Sequence, residues 1–127
     1  MDFLNAHPYA WQRKHQMAQT ALVAVLVVEG ELVREDVICR DRSRVDVVTP
    51  TAIYEVKPVL DERAVRQAVR QLAEYRTALG AHLETRVAGE WCPATPSQAA
   101  MAAAVGVRVV EVSVKAVREA LRREVCA

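Results

Sequence analysis

Two acidic residues and a lysine are spaced so that a β-hairpin would bring them together. Residues 44–58 alternate apolar with polar side chains on either side of residues 49–51, which predicts two strands joined by a tight turn. With the turn centred there, Asp46 lies opposite Glu55, and directly opposed Cβ atoms are about 4.5–5.5 Å apart. Lys57 follows Glu55 by two residues and therefore projects from the same face of its strand.

Two carboxylates held this close repel each other unless a cation lies between them. Carboxylate oxygens are the ligands that Mg²⁺ and Mn²⁺ prefer, and such an ion lowers the pKa of a water molecule and polarises a phosphate. The alternative is a solvent-exposed cluster of two acids and a lysine with no chemistry. We interpret the spacing as a metal site that acts on phosphate.

A helix predicted after the hairpin adds polar side chains. Asp61 is a good N-cap and Gly80 a good C-cap. Gln71 and Tyr75 are four residues apart and share one face, with Gln67 one turn earlier. The alternative is an amphipathic helix with a polar edge and a half-buried tyrosine. The predicted buried stripe comprises Val65, Ala68, Val69, Leu72, Ala73 and Leu79.

The order of these residues resembles the active-site signature of the PD-(D/E)xK nuclease superfamily. Asp46, eight intervening residues and Glu55-Val56-Lys57 resemble its D…ExK motif, and Gln71-Leu-Ala-Glu-Tyr75 resembles the QxxxY element of its RecB-like members. The resemblance covers residues 30–80. It implies an α/β protein with a restriction-endonuclease-like core, a mixed sheet of four to five strands flanked by helices on both faces.

The resemblance also implies an activity, that of a Mg²⁺-dependent deoxyribonuclease in which Mn²⁺ can substitute. Asp46, Glu55 and the carbonyl of Val56 would hold the metal. Lys57 would orient or deprotonate the attacking water, or stabilise the charge that develops on the phosphorus.

In the same family pattern, Gln71 would contact the DNA or the water network around the metal, and Tyr75 would support it. Arg44 lies two residues before Asp46 on the same strand face and is expected to hold a phosphate. Three further arginines on the predicted helix are candidates for flanking phosphates, although a solvated basic face explains them nearly as well: Arg63, Arg66 and Arg70.

The first helix departs from the family pattern. Many members carry a glutamate there that completes the metal shell, whereas residues 3–28 contain no acid. Gln16 or His15 would have to take that place, and some RecB-like members have a histidine ligand there. The alternative for His15 is a structural role. The leading Pro-Asp of the family is also altered, since Val45 precedes Asp46.

The remaining segments predict the element order αβββαβαβα, a three-strand meander followed by βα units. The first helix, capped by Asn5 or His7 and ending at Gly30, carries a stripe that includes Trp11 and Val25, although its β-branched end could instead form a strand. We expect Pro58 to end the third strand and Ser97 to lie near a helix cap. The predicted strands span 32–38, 44–49, 52–57, 84–91 and 107–112, and the later helices span 61–79, 97–105 and 114–125.

Composition predicts a single globular domain over residues 1–127, with 52% hydrophobic and 26% charged residues. The net charge of +1 excludes a strongly basic protein. Three cysteines without a CxxC motif indicate neither a disulfide framework nor a zinc site, which favours the cytoplasm. The longest apolar run, residues 21–28, is far below the roughly 20 residues that span a bilayer, so we expect no membrane partner.

The expected partner is nucleic acid, most simply DNA. Two alternatives stay open: a catalytically weak nucleic-acid-binding or assembly module of the same fold, and a toxin-like RNase. A homodimer would align two sites on two strands. Residues 21–28 or 97–105 could supply its interface, and both suit a core equally well.

Overall fold

The helices and strands follow one another in the predicted order. The computed structural model describes residues 8–90 and 95–126. The strands in this part of the chain are β1 (Arg34–Ile38), β2 (Arg44–Val48), β3 (Ala52–Val59), β4 (Glu84–Glu90) and β5 (Val107–Glu111), and the helices are α1 (Pro8–Val28), α2 (Glu62–Leu79), α3 (Pro96–Ala104) and α4 (Val114–Cys126).

The five strands form one mixed sheet in the order β1-β2-β3-β4-β5. β1, β2 and β3 are antiparallel neighbours, whereas β3, β4 and β5 are parallel. Helical crossovers return the chain between the parallel strands, as parallel pairing requires. The predicted α/β class, mixed sheet and element order are therefore confirmed.

Helices cover both faces of the sheet, each over its own apolar core. The first core joins α1 and α4 to one face, and the second joins α2 and α3 to the other. The first core includes Ala18, Leu22, Leu26, Val47, Tyr54 and Val56, and the second includes Val45, Ile53, Val65, Ala68, Leu72 and Val87. The β2–β3 hairpin therefore lies between two packed layers.

The first helix follows the prediction of one continuous helix, whereas α2 differs in detail from the predicted pattern. α1 runs unbroken through its β-branched end, because Leu22 and Leu26 of that segment are buried against the sheet. In α2, Ala73 is exposed and Tyr75 is buried, so the buried stripe is rotated from the predicted one. The N-cap prediction for α2 is confirmed, since the Asp61 carboxylate accepts from the Ala64 N–H at 2.8 Å.

The N-cap of α3 is Thr95, with Pro96 and Ser97 in the first turn, so Ser97 lies near the cap as predicted although the helix begins one residue earlier. Proline is tolerated there because the N–H it lacks has no partner within the helix. The predicted caps of α1, Asn5 and His7, lie outside the described residues.

β3 continues through Pro58 to Val59, so the prediction that Pro58 ends the strand is wrong. The pairing of β3 with β4 shifts register between Lys57 and Val59, and this irregularity accommodates a proline that has no N–H to donate. Gly89 of β4 lies opposite Lys57 at this point. A Cβ on Gly89 would be 1.9 Å from the Lys57 carbonyl oxygen, so the two backbones meet where no side chain fits.

Gly89→Ala is expected to destabilise the protein by about 3 kcal/mol or more, because the overlap involves backbone that cannot rotate away. Urea unfolding followed by circular dichroism measures the loss. Gly106→Ala is the matched control, since Gly106 has φ +79° but no atom within 4 Å of the added Cβ. The control should lose about 1–2 kcal/mol from backbone strain alone. Equal losses in the two variants would contradict the close approach.

None of the helices in the described part of the chain is long and apolar enough to cross a membrane. Cys39 is buried and free. Cys92 lies outside the described residues.

The two segments considered for a dimer interface each contribute buried side chains to the core of their own chain, such as Leu22 and Ala102.

Candidate metal centre

The hairpin of β2 and β3 has the predicted register. Val47 pairs with Tyr54 and Val48 with Ile53. Continuing the same register places Asp46 opposite Glu55.

The backbone at Asp46 is held by side chains in place of strand pairing. In the described ladders, the β1–β2 register skips the pair of Asp36 with Asp46, and Asp36 has φ +50°. The buried Gln19 amide of α1 donates to the Asp46 carbonyl at 3.2 Å. The Asp46 Oδ2 accepts from the Val56 N–H at 2.8 Å, which ties β2 to β3. The interruption in the β1–β2 ladder therefore coincides with the residue whose carboxylate belongs to the candidate site.

Side chains from α1, β2 and β3 converge at the Asp46 carboxylate. One ligand atom each of His15, Asp46 and Glu55 lies within 4.8 Å of the others. The His15 Nε2–H donates to Asp46 Oδ2 at 3.3 Å. Asp46 is 3% exposed and Glu55 is 5% exposed, so neither charge is well solvated. One imidazole nitrogen and two carboxylates form a donor set that suits a divalent cation.

The pKa values of the two carboxyl groups are shifted in opposite directions by this environment. Burial raises the pKa of Glu55, and the neighbouring Asp46 carboxylate raises it further. Burial also acts to raise the pKa of Asp46, but hydrogen bonds from His15, Glu55 and the Val56 N–H outweigh it and hold that pKa below its usual range. Without a metal, one proton therefore stays at the pair because two adjacent buried charges are unfavourable.

α2 brings polar groups to the opposite wall. Lys57 is buried, and its Nζ donates to Gln67 Oε1 at 3.3 Å. The Tyr75 hydroxyl donates to Glu55 Oε2 at 3.3 Å, and burial raises the pKa of this hydroxyl, so it remains a donor. The Gln71 Oε1 is buried and has no hydrogen-bond partner among the described residues. An unsatisfied buried oxygen of this kind suits a water or a ligand group.

All these side chains line one open cleft of about 540 Å³. Eight of the residues that the sequence analysis proposed for the site line it: Arg44, Asp46, Glu55, Val56, Lys57, Gln71, Tyr75 and Gln16. It also contains Trp11, Gln12, His15 and Gln67. Sequence spacing therefore identified one side of a common cavity and left the contribution of α1 unresolved.

Of the two candidates on α1, it is His15 that contacts the Asp46 carboxylate. Gln16 lines the cleft but is exposed, and its Nε2 donates to Thr20 Oγ1 of the same helix at 3.4 Å. Gln19 was missed as a positioning residue. Its only signal was membership of the polar side of a helix that is otherwise buried.

The arginines divide into two groups. Arg44 lines the cleft, and its side chain stays largely exposed with a loose contact of 3.8 Å to Asp36. Three of the four arginines of α2, namely Arg63, Arg66 and Arg70, line a separate shallow groove, in which Arg66 pairs with Glu62 at 2.7 Å. Among the predicted phosphate contacts, Arg44 is thus the one inside the candidate site.

Comparisons with protein-family models, curated proteins and solved structures found no match to this chain.

Proposed function

We propose that the protein is a metal-dependent nuclease with a restriction-endonuclease-like core of the PD-(D/E)xK type. The observation that carries the proposal is the convergence of His15, Asp46 and Glu55 beside Lys57 in a cleft open to solvent. Two buried carboxylates at this separation destabilise a fold unless a cation or proton joins them. A hard divalent cation satisfies both acids, and a phosphodiester is the substrate class on which such centres commonly act.

The combination of one imidazole and two carboxylates favours one of the two candidate metals over the other. Mg²⁺ takes oxygen ligands almost exclusively, whereas Mn²⁺ also accepts imidazole nitrogen. His15 therefore favours Mn²⁺, while Asp46 and Glu55 serve either ion. When bound, the ion would polarise the scissile phosphate and lower the pKa of a water molecule.

The chain's own residues have separate tasks in this proposal. The Lys57 ammonium, the positive group in the depth of the cleft, orients the attacking water or stabilises the charge that develops on the phosphate. Tyr75 holds the Glu55 carboxylate in place through its hydroxyl. The unsatisfied Gln71 Oε1 accepts a hydrogen bond from the attacking water, and Arg44 contacts a neighbouring phosphate.

Lys57→Ala is expected to lower DNA cleavage by about 10²- to 10³-fold, the usual effect of removing one group that stabilises transition-state charge. Metal binding should persist, because the acids and His15 remain. Cleavage of plasmid and single-stranded DNA with Mg²⁺ or Mn²⁺ measures the loss of activity, and calorimetry measures metal binding. Lys115→Ala, an exposed lysine on α4, is the control and should retain activity.

Two outcomes would reject the nuclease proposal. One is a wild-type protein that binds neither Mg²⁺ nor Mn²⁺ and cleaves no DNA or RNA. The other is cleavage that survives Lys57→Ala unchanged, since a contaminating nuclease would then be responsible. Cleavage of RNA with DNA spared would keep the chemistry and change the substrate to that of an RNase.

A further inference from the structure

Trp11 lies on the wall of the cleft, one helical turn before His15. The two rings are stacked, with centroids 5.5 Å apart and an interplanar angle of 22°. Trp11 nevertheless remains 37% exposed. The stacking on His15 therefore leaves part of Trp11 accessible from outside.

The neighbours of Trp11 make its position unusual. The same cleft carries the amide side chains of Gln12 and Gln16 from α1 and of Gln67 and Gln71 from α2. Tyr75, the other aromatic residue among the described residues that line the cleft, is buried. Trp11 is thus the aromatic surface that a molecule entering the cleft can reach. A single exposed apolar ring needs no function in general, but this one adjoins the candidate metal ligands.

We propose that Trp11 stacks on an unpaired nucleobase beside the phosphodiester bond that is cut, so that the site takes single-stranded or locally unpaired nucleic acid. This inference rests on the nuclease function proposed above. A base within a duplex has neighbours on both faces, so only an unpaired base can stack on a side chain. All four bases have a π-face, and the contact therefore adds affinity without selecting a sequence.

The small number of basic groups in the cleft also supports a stacking role for Trp11. A protein that binds nucleic acid mainly through phosphates needs many basic contacts, since its affinity comes from released counterions. This chain has a net charge of only +1. The basic groups lining the cleft in the described residues are Arg44, Lys57 and His15. Stacking supplies affinity that this small set of charges does not.

The first test leaves the protein unchanged. Oligonucleotides of one sequence are compared as single strand and duplex, in DNA and in RNA, with Mn²⁺, and kcat/KM is measured for each. We expect single strands of at least one of the two nucleic acids to be preferred over duplex. Removing the base from one nucleotide next to the cut should lower kcat/KM roughly 5- to 150-fold, whereas an abasic nucleotide far from the cut should have no effect.

The second test uses variants. Trp11→Ala should lower cleavage of the intact single strand by the same factor and abolish the abasic penalty, because the two changes remove one contact. Trp11→Phe should retain most of the cleavage rate on the intact strand and most of the abasic penalty. Tyr9→Ala is the control, an exposed aromatic on the same helix outside the cleft. Mn²⁺ binding without nucleic acid should be unaffected by Trp11→Ala.

The outcomes separate this inference from the function on which it rests. Equal cleavage of duplex and single strand, or no abasic penalty, overturns the stacking role and leaves the nuclease proposal standing. Weaker Mn²⁺ binding by Trp11→Ala, with an undiminished abasic penalty, also overturns it, because Trp11 would then only support His15. A wild-type protein that neither binds Mn²⁺ nor cuts any nucleic acid rejects both proposals.

Discussion

Replacing Glu55 with glutamine is expected to lower cleavage at least about 10³-fold, because an amide is a poor ligand for a hard cation and a loss of about 4 kcal/mol in transition-state stabilisation has this effect. Glutamine has nearly the same shape, so the packing around Tyr75 should survive. Rates are measured on DNA and RNA at saturating Mn²⁺. Glu111→Gln, an exposed glutamate on β5, is the control and should cleave as the wild type does.

The same variant should also remove a pH dependence from the stability of the metal-free protein. The pKa of Glu55 is raised by burial and by Asp46, so the native state retains a proton that the unfolded chain has released. The free energy of unfolding of the wild type should therefore fall as pH rises from about 5 through neutrality, by up to about 1.4 kcal/mol per pH unit. The lowered pKa of Asp46 matters only below about pH 4 and stays outside this window.

Urea unfolding in a metal chelator between pH 5 and pH 9 tests the stability effect. Glu55→Gln should remove the slope, whereas Glu111→Gln should keep it. Parallel slopes in the wild type and in Glu55→Gln would show that Glu55 does not hold the proton.

Mn²⁺ is expected to raise the melting temperature of the wild type by on the order of 10 °C at about 100 times its dissociation constant, since ligand binding there adds about 2.7 kcal/mol. Mg²⁺ should bind more weakly because it gains little from His15. His15→Ala should reduce Mn²⁺ affinity at least about tenfold and leave Mg²⁺ affinity nearly unchanged, which removes the preference.

Scanning calorimetry of the metal-free protein with each ion measures this preference. His82→Ala is the matched control, an exposed histidine outside the cleft. If both histidine variants keep the wild-type preference for Mn²⁺, His15 is not a ligand. If neither ion shifts the wild-type melting temperature, the metal centre itself is rejected.

The hairpin could be predicted from the sequence because its signal is local. Alternating side chains and a turn between them determine the register, and that register brings Asp46 and Glu55 together. The polar face of α2 could be predicted equally well, since helical spacing alone puts Gln71 and Tyr75 on one side.

The contribution of α1 could not be predicted in the same way. His15 and Gln16 are adjacent in sequence, and the rotation of the helix about its axis decides which one meets the carboxylates. That rotation depends on packing against the sheet. The missing strand pair at Asp36 had no local signal either, because it is compensated by Gln19 from a distant helix. At Pro58, tertiary pairing with β4 overrode a residue that ordinarily ends a strand.

The hydrogen bond from the Val56 N–H to the Asp46 carboxylate makes Asp46 a poor residue for dissecting chemistry. An Asp46 variant would lose a proposed metal ligand and also a hydrogen bond that links β2 to β3, so an inactive phenotype would have two causes. Glu55, held by the side chain of Tyr75, avoids this confusion. The same bond offers a spectroscopic handle, since the amide proton of Val56 senses directly whatever the Asp46 carboxylate binds.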